Sequence, residues 1–303
     1  MKKVVITGSN GLLGQSLLNL LLQFQEDYEV FGLARGENRS GRSDFTYVSV
    51  DLTDKLNVNA VLERIAPAVI INTAAMTNVD QCEIEKEACT ILNVDLVRWL
   101  TEYASGKQTQ LMQLSTDFIF DGKQGNYKET DMPNPLSHYG LSKLQSEKIL
   151  QDSKVHYTIL RTILVYGSVY DMSRSNIVLW VKASLEKGKK ITIVNDQFRM
   201  PTYVENLALA CKLAMDKEVK GVFHVSSDSL LSIFEIATQI ATTFNLDPKL
   251  LVPISSSALN QRAQRPAKTG FDLTKTQSVL GLPITNFAED LQNFKEKITY
   301  DSI

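Results

Sequence analysis

Cysteine is scarce in this 303-residue chain: Cys82, Cys89 and Cys211 are its three, and none belongs to a C-x-x-C pair. That excludes a disulfide framework as the organising principle and fits a reducing compartment. Cys82 and Cys89 stand seven apart, the spacing of one helical face, and read as core residues. Histidine is equally sparse. His138, His156 and His224 are scattered with no second ligand nearby, so no metal is expected. Charge of neither sign prevails: the formal net is −2, which leaves no electrostatic footprint for nucleic acid or an anionic membrane and favours a small-molecule ligand. Long apolar runs are missing too. The stretch "LLGQSLLNLLLQF" is broken by Gln15, Ser16 and Asn19, short of the roughly 18 residues a membrane span needs. The opening "MKKVVITG" passes from two lysines directly into a strand, without the apolar core and cleavage site of a signal peptide, so a cytoplasmic protein is expected. No internal repeat, heptad array or low-complexity tract is present.

What remains is an ordinary globular composition, 44% hydrophobic and 22% charged, with room for a sizeable core. Six strand-like runs ("KVVIT", "YEVFGLA", "FTYVSVD", "AVIIN", "QLMQLS" and "HYTILRT") alternate with amphipathic stretches such as 12–24 and 84–104. This alternation predicts an α/β fold, a doubly wound parallel sheet of Rossmann type. After Gly167 the pattern loosens into helices over 175–187, 204–216 and 232–244, with strands at "KITIVND" and "GVFHVSS". The expected division is a dinucleotide-binding domain of residues 1–168 and 203–227, and a smaller α+β substrate-binding region of 169–202 and 228–303. Within the latter, "PISSSALNQRAQRPAKTG" is too long for a tight connection and reads as a binding or lid loop.

The first strand ends in "TGSNGLLG", with Gly8, Asn10, Gly11, Leu12 and Gly14 leading into a helix. Glycines suit a turn with unusual backbone angles, and the missing Cβ atoms let a pyrophosphate approach the amides of the helix N-terminus. After an apolar strand and before an amphipathic helix, the spacing predicts a dinucleotide site. A ribose-binding NAD site usually places Asp or Glu at the end of the second strand, whereas "VFGLARGENR" offers Arg35 and then Arg39. A guanidinium can fork onto a phosphate, so NADP(H) is preferred and NAD(H) remains admissible; the alternative is that both arginines are solvated loop charges around Glu37. Asp51 and Leu52, ending the third strand, suit an adenine edge and face, although Asp51 equally suits a helix cap.

Tyr139 and Lys143 in "HYGLSKLQSEK" are four apart at the start of a predicted helix and share one face. An ammonium beside a phenol makes the phenol a better proton donor. Together with "TGSNGLLG" and the strand-ending "LSTDFIFDG", this pair resembles the extended short-chain dehydrogenase/reductase superfamily. Within it, "NTAAMTNVDQCE", "LSTDFIFDG", "HYGLSKLQSE", "LRTILVYG", "VNDQFRMPTYVENLA" and "QRPAKTGFDLTK" follow the order of the dTDP-4-dehydrorhamnose reductase family, over essentially the full chain.

The resemblance implies that Thr116, Tyr139 and Lys143 are the catalytic set. Tyr139 would protonate a carbonyl oxygen, Lys143 would hold the cofactor ribose and lower the phenol's pKa, and the Thr116 hydroxyl would bond the substrate oxygen. It also implies that Ala74, Ala75 and Thr77 line the cofactor cleft, that Asn93 supports Lys143 through water, where a helix-surface amide is the alternative, and that Asp117, Phe118, Arg199 and Arg265 face the substrate. Arg262 and Arg265 equally suit loop charges. Phe118 stands where dehydrating relatives carry a second acid, and phenylalanine cannot take a proton, which favours plain ketone reduction. Leu164, Arg199 and Met200 depart from the family's usual residues near the sugar. The implied activity is NADPH-dependent reduction of a 4-keto nucleotide sugar, most simply dTDP-4-dehydro-L-rhamnose, with a homodimer left open. The alternatives are a non-catalytic NADP-binding regulatory subunit resembling the methionine adenosyltransferase β-subunit, and a sugar-nucleotide epimerase.

Overall fold

The structure is a computed structural model that describes residues 1–172 and 174–300. Its centre is a seven-stranded sheet in the order β11-β6-β5-β4-β1-β2-β3. The strands are β1 (Lys2–Thr7), β2 (Tyr28–Ala34), β3 (Thr46–Ser49), β4 (Val69–Asn72), β5 (Gln110–Thr116), β6 (Tyr157–Thr162) and, late in the chain, β11 (Gly221–Val225). All neighbouring pairs are parallel. The chain builds outward from β1 through β2 and β3, then returns to add β4 on the other side of β1. That reversal opens a crevice beyond the carboxyl ends of β1 and β4, the place where doubly wound sheets bind ligands.

Side-chain alternation along β1 explains the two layers. Val4 and Ile6 pack with Leu17, Leu18 and Leu21 of α1 (Leu12–Leu21) on one face. Val5 packs on the other with Val58 and Leu62 of α2 (Lys55–Ile65). Asp54 caps α2 by accepting from the Leu56 and Asn57 amides, which leaves Asp51 outside the helix cap.

The predicted helix 84–104 is not continuous. It is resolved into α3 (Val79–Ile84), α4 (Lys86–Thr90), a π-helical turn over Ile91–Asp95, and α5 (Leu96–Ala104). Cys82 and Cys89 therefore lie on two short helices, yet both are buried in one cluster with Tyr139. The helices α6 (His138–Gln151) and α7 (Ile177–Glu186) follow, and then α8 (Val204–Asp216), which packs beside α1.

Beyond β6 come the short strands β7 (Val165–Tyr166), β8 (Ile191–Val194), β9 (Phe198–Arg199) and β10 (Thr202–Tyr203), and later β12 (Leu231–Ser232), β13 (Leu251–Ile254) and β14 (Lys268–Thr269). β9 sits between β12 and β14. α9 (Ile233–Thr243) and α10 (Phe287–Tyr300) enclose a separate core of Tyr166, Tyr203, Ile236, Phe287 and Phe294. No helix among the described residues is long and apolar enough to cross a membrane.

α6 is unusual in burying polar groups: Ser142, Lys143, Ser146 and Glu147 all face inward. Glu147 is 0% and its partner Arg161, on β6, 2% exposed. The guanidinium forks onto the carboxylate at 2.7 and 3.0 Å, and the Ser115 hydroxyl on β5 donates to the same carboxylate. Removing one member would strand the other charge in the interior. Glu147→Gln is therefore expected to cost about 3–5 kcal/mol in urea unfolding, whereas Glu147→Met with Arg161→Met should recover most of it. A single-variant loss under about 1 kcal/mol would show that the pair does not anchor the helix.

Candidate active site

The glycine loop lies at the sheet's crevice. Gly8 adopts φ +68°, and a Cβ there would stand 2.9 Å from both the Ala74 amide nitrogen and Thr73 Oγ1. A Cβ on Gly14 would stand 2.4 Å from the Gly8 carbonyl oxygen, so only glycine lets α1 fold this closely onto the turn. No side chain caps α1, and no acidic residue occupies its first turn. Its leading amides are thus available to an anion, which fits the pyrophosphate of a dinucleotide. Asn10 is engaged elsewhere. It donates to the Glu37 carbonyl and accepts from the Arg39 amide at 2.9 Å, tying the glycine loop to the loop after β2.

That loop carries Arg35, exposed just past β2, and Arg39, whose guanidinium forks onto Asp171 with both contacts at 2.7 Å. Asp51 accepts from the amide and hydroxyl of Thr53, and these bonds hold its carboxyl below the usual range. Leu52 beside it is buried. Ala74 and Ala75 follow β4 at the crevice, and Thr77 accepts a hydrogen bond from Arg174 at 3.0 Å.

Thr116 is the last residue of β5, and Tyr139 and Lys143 project from the first turns of α6. The helix starts where Ser137 accepts from the Gly140 amide. A Cβ on Gly140 would stand 2.2 Å from the Phe118 carbonyl oxygen, and this close approach seats α6 against the turn after β5. Thr116 and Tyr139 are brought close enough that the Thr116 hydroxyl acts to lower the phenol's pKa. The Phe118 ring meets Tyr139 edge-on, with centroids 5.8 Å apart.

Burial pushes the Tyr139 phenol above its ordinary value; Thr116 opposes that shift, and Asp117 adds to it. The phenol is thus held protonated in this structure, chiefly because burial denies water to the phenolate. Lys143, also buried, is drawn down to about 8.

The π-helical turn explains Asn93. The extra residue in that turn points the side chain inward, where it accepts from the Met76 amide at 2.8 Å and donates to the Ser142 hydroxyl at 3.1 Å. Asn93 thus joins the loop after β4 to α6 one residue from Lys143. A helical asparagine in the sequence carries no sign of that turn.

Of the residues expected to face the substrate, Arg199, Asp117 and Arg265 make contacts within the fold. Arg199 is 3% exposed and donates to the carbonyls of Phe198 and Pro266, each at 2.7 Å, with Asp117 at 3.5 Å. Asp117 is equally buried and accepts from the hydroxyls of Thr116 and Thr269. Both are engaged inside the fold, because the segment around Pro266 passes over them. Arg265 forks onto Asp80 at 2.7 Å, whose carboxylate also accepts from the Ala263 amide. Met200 is buried against Phe271, and Leu164 holds a left-handed φ of +44°. The polar segment read as a lid therefore spans the cleft from Asp80 to Asp117. Thr269, which completes the buried cluster, carries no signal in the sequence.

Comparison with known proteins gives a consistent picture. The family model described as the RmlD substrate binding domain matches residues 1–300. The chain is 33% identical to a dTDP-4-dehydrorhamnose reductase of Aggregatibacter actinomycetemcomitans, over 97% of this chain and 99% of that one. It is 30% identical to methionine adenosyltransferase 2 subunit beta of Danio rerio, over 93% of this chain and 86% of that one. Among solved structures, the dTDP-4-dehydrorhamnose reductase of Bacillus anthracis in complex with NADP superimposes with a TM-score of 0.86 at 28% identity, covering 98% of this chain and 100% of that one.

The lowered Lys143 value links the site to stability. Between pH of about 8 and 10.5 the unfolded chain holds a proton on this amine that the folded chain has released, so stability rises with pH across that window. Below it the buried ammonium is a full cost. Lys143→Met is expected to stabilise the protein by about 3 kcal/mol at pH 7 and to abolish the rise. Identical unfolding curves for the two proteins at pH 7 and pH 10 would contradict this.

Proposed function

Because the chain belongs to the family of the RmlD substrate binding domain, we propose that it is an NADPH-dependent reductase of the 4-keto group of a nucleotide-activated deoxysugar. The simplest such reaction converts dTDP-4-dehydro-L-rhamnose to dTDP-L-rhamnose. The observation that supports this reading is the burial of Thr116, at the carboxyl end of β5, with Tyr139 and Lys143, on the first turns of α6, in a sheet whose glycine loop follows β1.

Residues 1–168 with 203–227 hold the dinucleotide in this reading, and 169–202 with 228–303 hold the sugar nucleotide. The uncapped amides of α1 and the tight turn at Gly8 take the pyrophosphate. Arg35 reads the 2′-phosphate, giving preference for NADP(H) over a usable NAD(H). The bound nicotinamide supplies the hydride that reaches the ketone carbon. Tyr139, kept protonated by burial, gives its proton to the ketone oxygen, so that a secondary alcohol results and the phenolate awaits reprotonation. Lys143 holds the ribose hydroxyls and places a positive charge near that phenolate as it forms. Phe118 and the buried Asp117 offer no acid and base pair for dehydration.

The 30% identity to methionine adenosyltransferase 2 subunit beta favours a second reading, a nucleotide-binding regulatory subunit without turnover. Oxidation of NADPH at 340 nm with dTDP-4-dehydro-L-rhamnose separates the two. Tyr139→Phe is expected to lower turnover by at least ~100-fold with cofactor affinity nearly unchanged. Near-normal turnover in that variant would refute the assigned proton donor, and no oxidation by the parent protein would favour the regulatory reading. Arg35→Asp should shift preference from NADPH toward NADH; an unchanged ratio of kcat/KM values would place the 2′-phosphate contact elsewhere.

A further inference from the structure

Thr116 has one hydroxyl proton and two neighbours able to receive it. Its Oγ lies 3.1 Å from Asp117 Oδ1 and accepts from the Phe118 amide at 3.2 Å, and it is close enough to the Tyr139 phenol to favour the phenolate. Asp117 is acceptor-only when ionised, and Arg199 stands 3.5 Å from its other oxygen. Thr269 donates to that same oxygen. The Thr116 proton therefore points to Asp117, and Thr116 presents a lone pair to the phenol. This orientation keeps the proton of Tyr139 on Tyr139, and it differs from the expected bond between Thr116 and the substrate ketone.

We propose that Asp117 is a positioning residue that fixes the Thr116 hydroxyl, with Arg199 and Thr269 as the fixed supports of Asp117. This inference rests on the reductase reading above. It gives the departure at Arg199 a role: the guanidinium joins the carbonyls of Phe198 and Pro266 to the Asp117 carboxylate. The segment from Ala263 to Phe271 thereby becomes part of the proton-donor geometry. The Arg199 guanidinium also lies over the Phe118 ring, 5.7 Å from its centroid, and that ring in turn meets Tyr139. Nothing in this arrangement requires Arg199 or Asp117 to touch the sugar.

The test is a double-mutant cycle on kcat with Thr116→Val. Asp117→Asn and Thr269→Val are each expected to lower kcat by about 10-fold in the parent protein, the worth of one lost hydrogen bond, with cofactor affinity unchanged. In the Thr116→Val background, where no hydroxyl remains to be positioned, each should change kcat by less than about 2-fold. Effects that simply multiply would overturn the proposal, since a general structural role does not depend on the Thr116 hydroxyl.

Thr269→Val keeps the buried ion pair and so serves if Asp117→Asn fails to fold. Exchange of the Phe118 amide, followed by NMR without any sugar, reads the Thr116 hydroxyl independently of turnover. It should quicken by about 10-fold in Thr269→Val. A parent protein that reduces no keto sugar would refute the reductase reading and leave this readout to decide the positioning. Unchanged Phe118 exchange would refute the positioning itself.

Discussion

The site depends on one buried ion pair, Glu147 with Arg161. Apolar packing holds a helix against a sheet but tolerates sliding, because its attraction is non-directional. A bidentate guanidinium–carboxylate contact is directional, and here it ties α6 to β6 while Ser115 ties it to β5. Ser115 immediately precedes Thr116, and Glu147 lies one helical turn from Lys143 and two from Tyr139. The register between the strand end and the helix face is thus set by a charged contact one or two helical turns from Lys143 and Tyr139. The inward-facing serines of α6 serve the same end. Ser142 and Ser146 return their hydroxyls to the backbone, which lets the helix sit deep without an unsatisfied group.

The parts of this arrangement legible in the sequence are those controlled locally. The parallel strands are visible as short aliphatic runs, and the glycine loop is visible because backbone angle and close approach admit only glycine at Gly8 and Gly14. Tyr139 and Lys143 are visible because helical spacing fixes their common face. The helix predicted over 84–104 is broken because its inner side must present Asn93 to Met76 and Ser142, a demand set by β4 and α6. The contacts that Arg199, Arg265 and Asp117 make within the fold are not legible in the sequence for a related reason. A charged residue near a substrate segment reads as a ligand contact until the chain's own return path is known. Here that path brings Pro266, Ala267 and Thr269 onto them.

Burial separates the arginines into two physical classes. Arg39 and Arg265 pair with Asp171 and Asp80 where solvent still reaches them, and such exposed pairs are worth about 0–1 kcal/mol. Their carboxylates hold a fork that a phosphate group also fits. Arg161 and Arg199 pair at 2% and 4% side-chain exposure, where each charge without its partner would be a heavy cost. The first class can exchange partners at little expense. The second cannot, and so it fixes the geometry of the groups around it.

The same distinction accounts for where the fold accepts instability. Lys143 has its charged form disfavoured by burial, Tyr139 is denied the water that would solvate a phenolate, and Asp117 is pushed upward by desolvation although Arg199 opposes it. Apolar residues of similar volume would fill these positions at lower free energy. All three lie within one cluster at the ends of β5 and α6, while the two faces of the sheet around it are packed with aliphatic side chains. Burial also disfavours the charged forms of Tyr166, His224 and Asp290 elsewhere in the fold, but here a phenol, an ammonium and a carboxylate break the local rules of burial together. Three such groups at one strand end and one helix start follow the pattern of sites that do acid–base chemistry, and this grouping is the physical argument behind the proposed reductase reading.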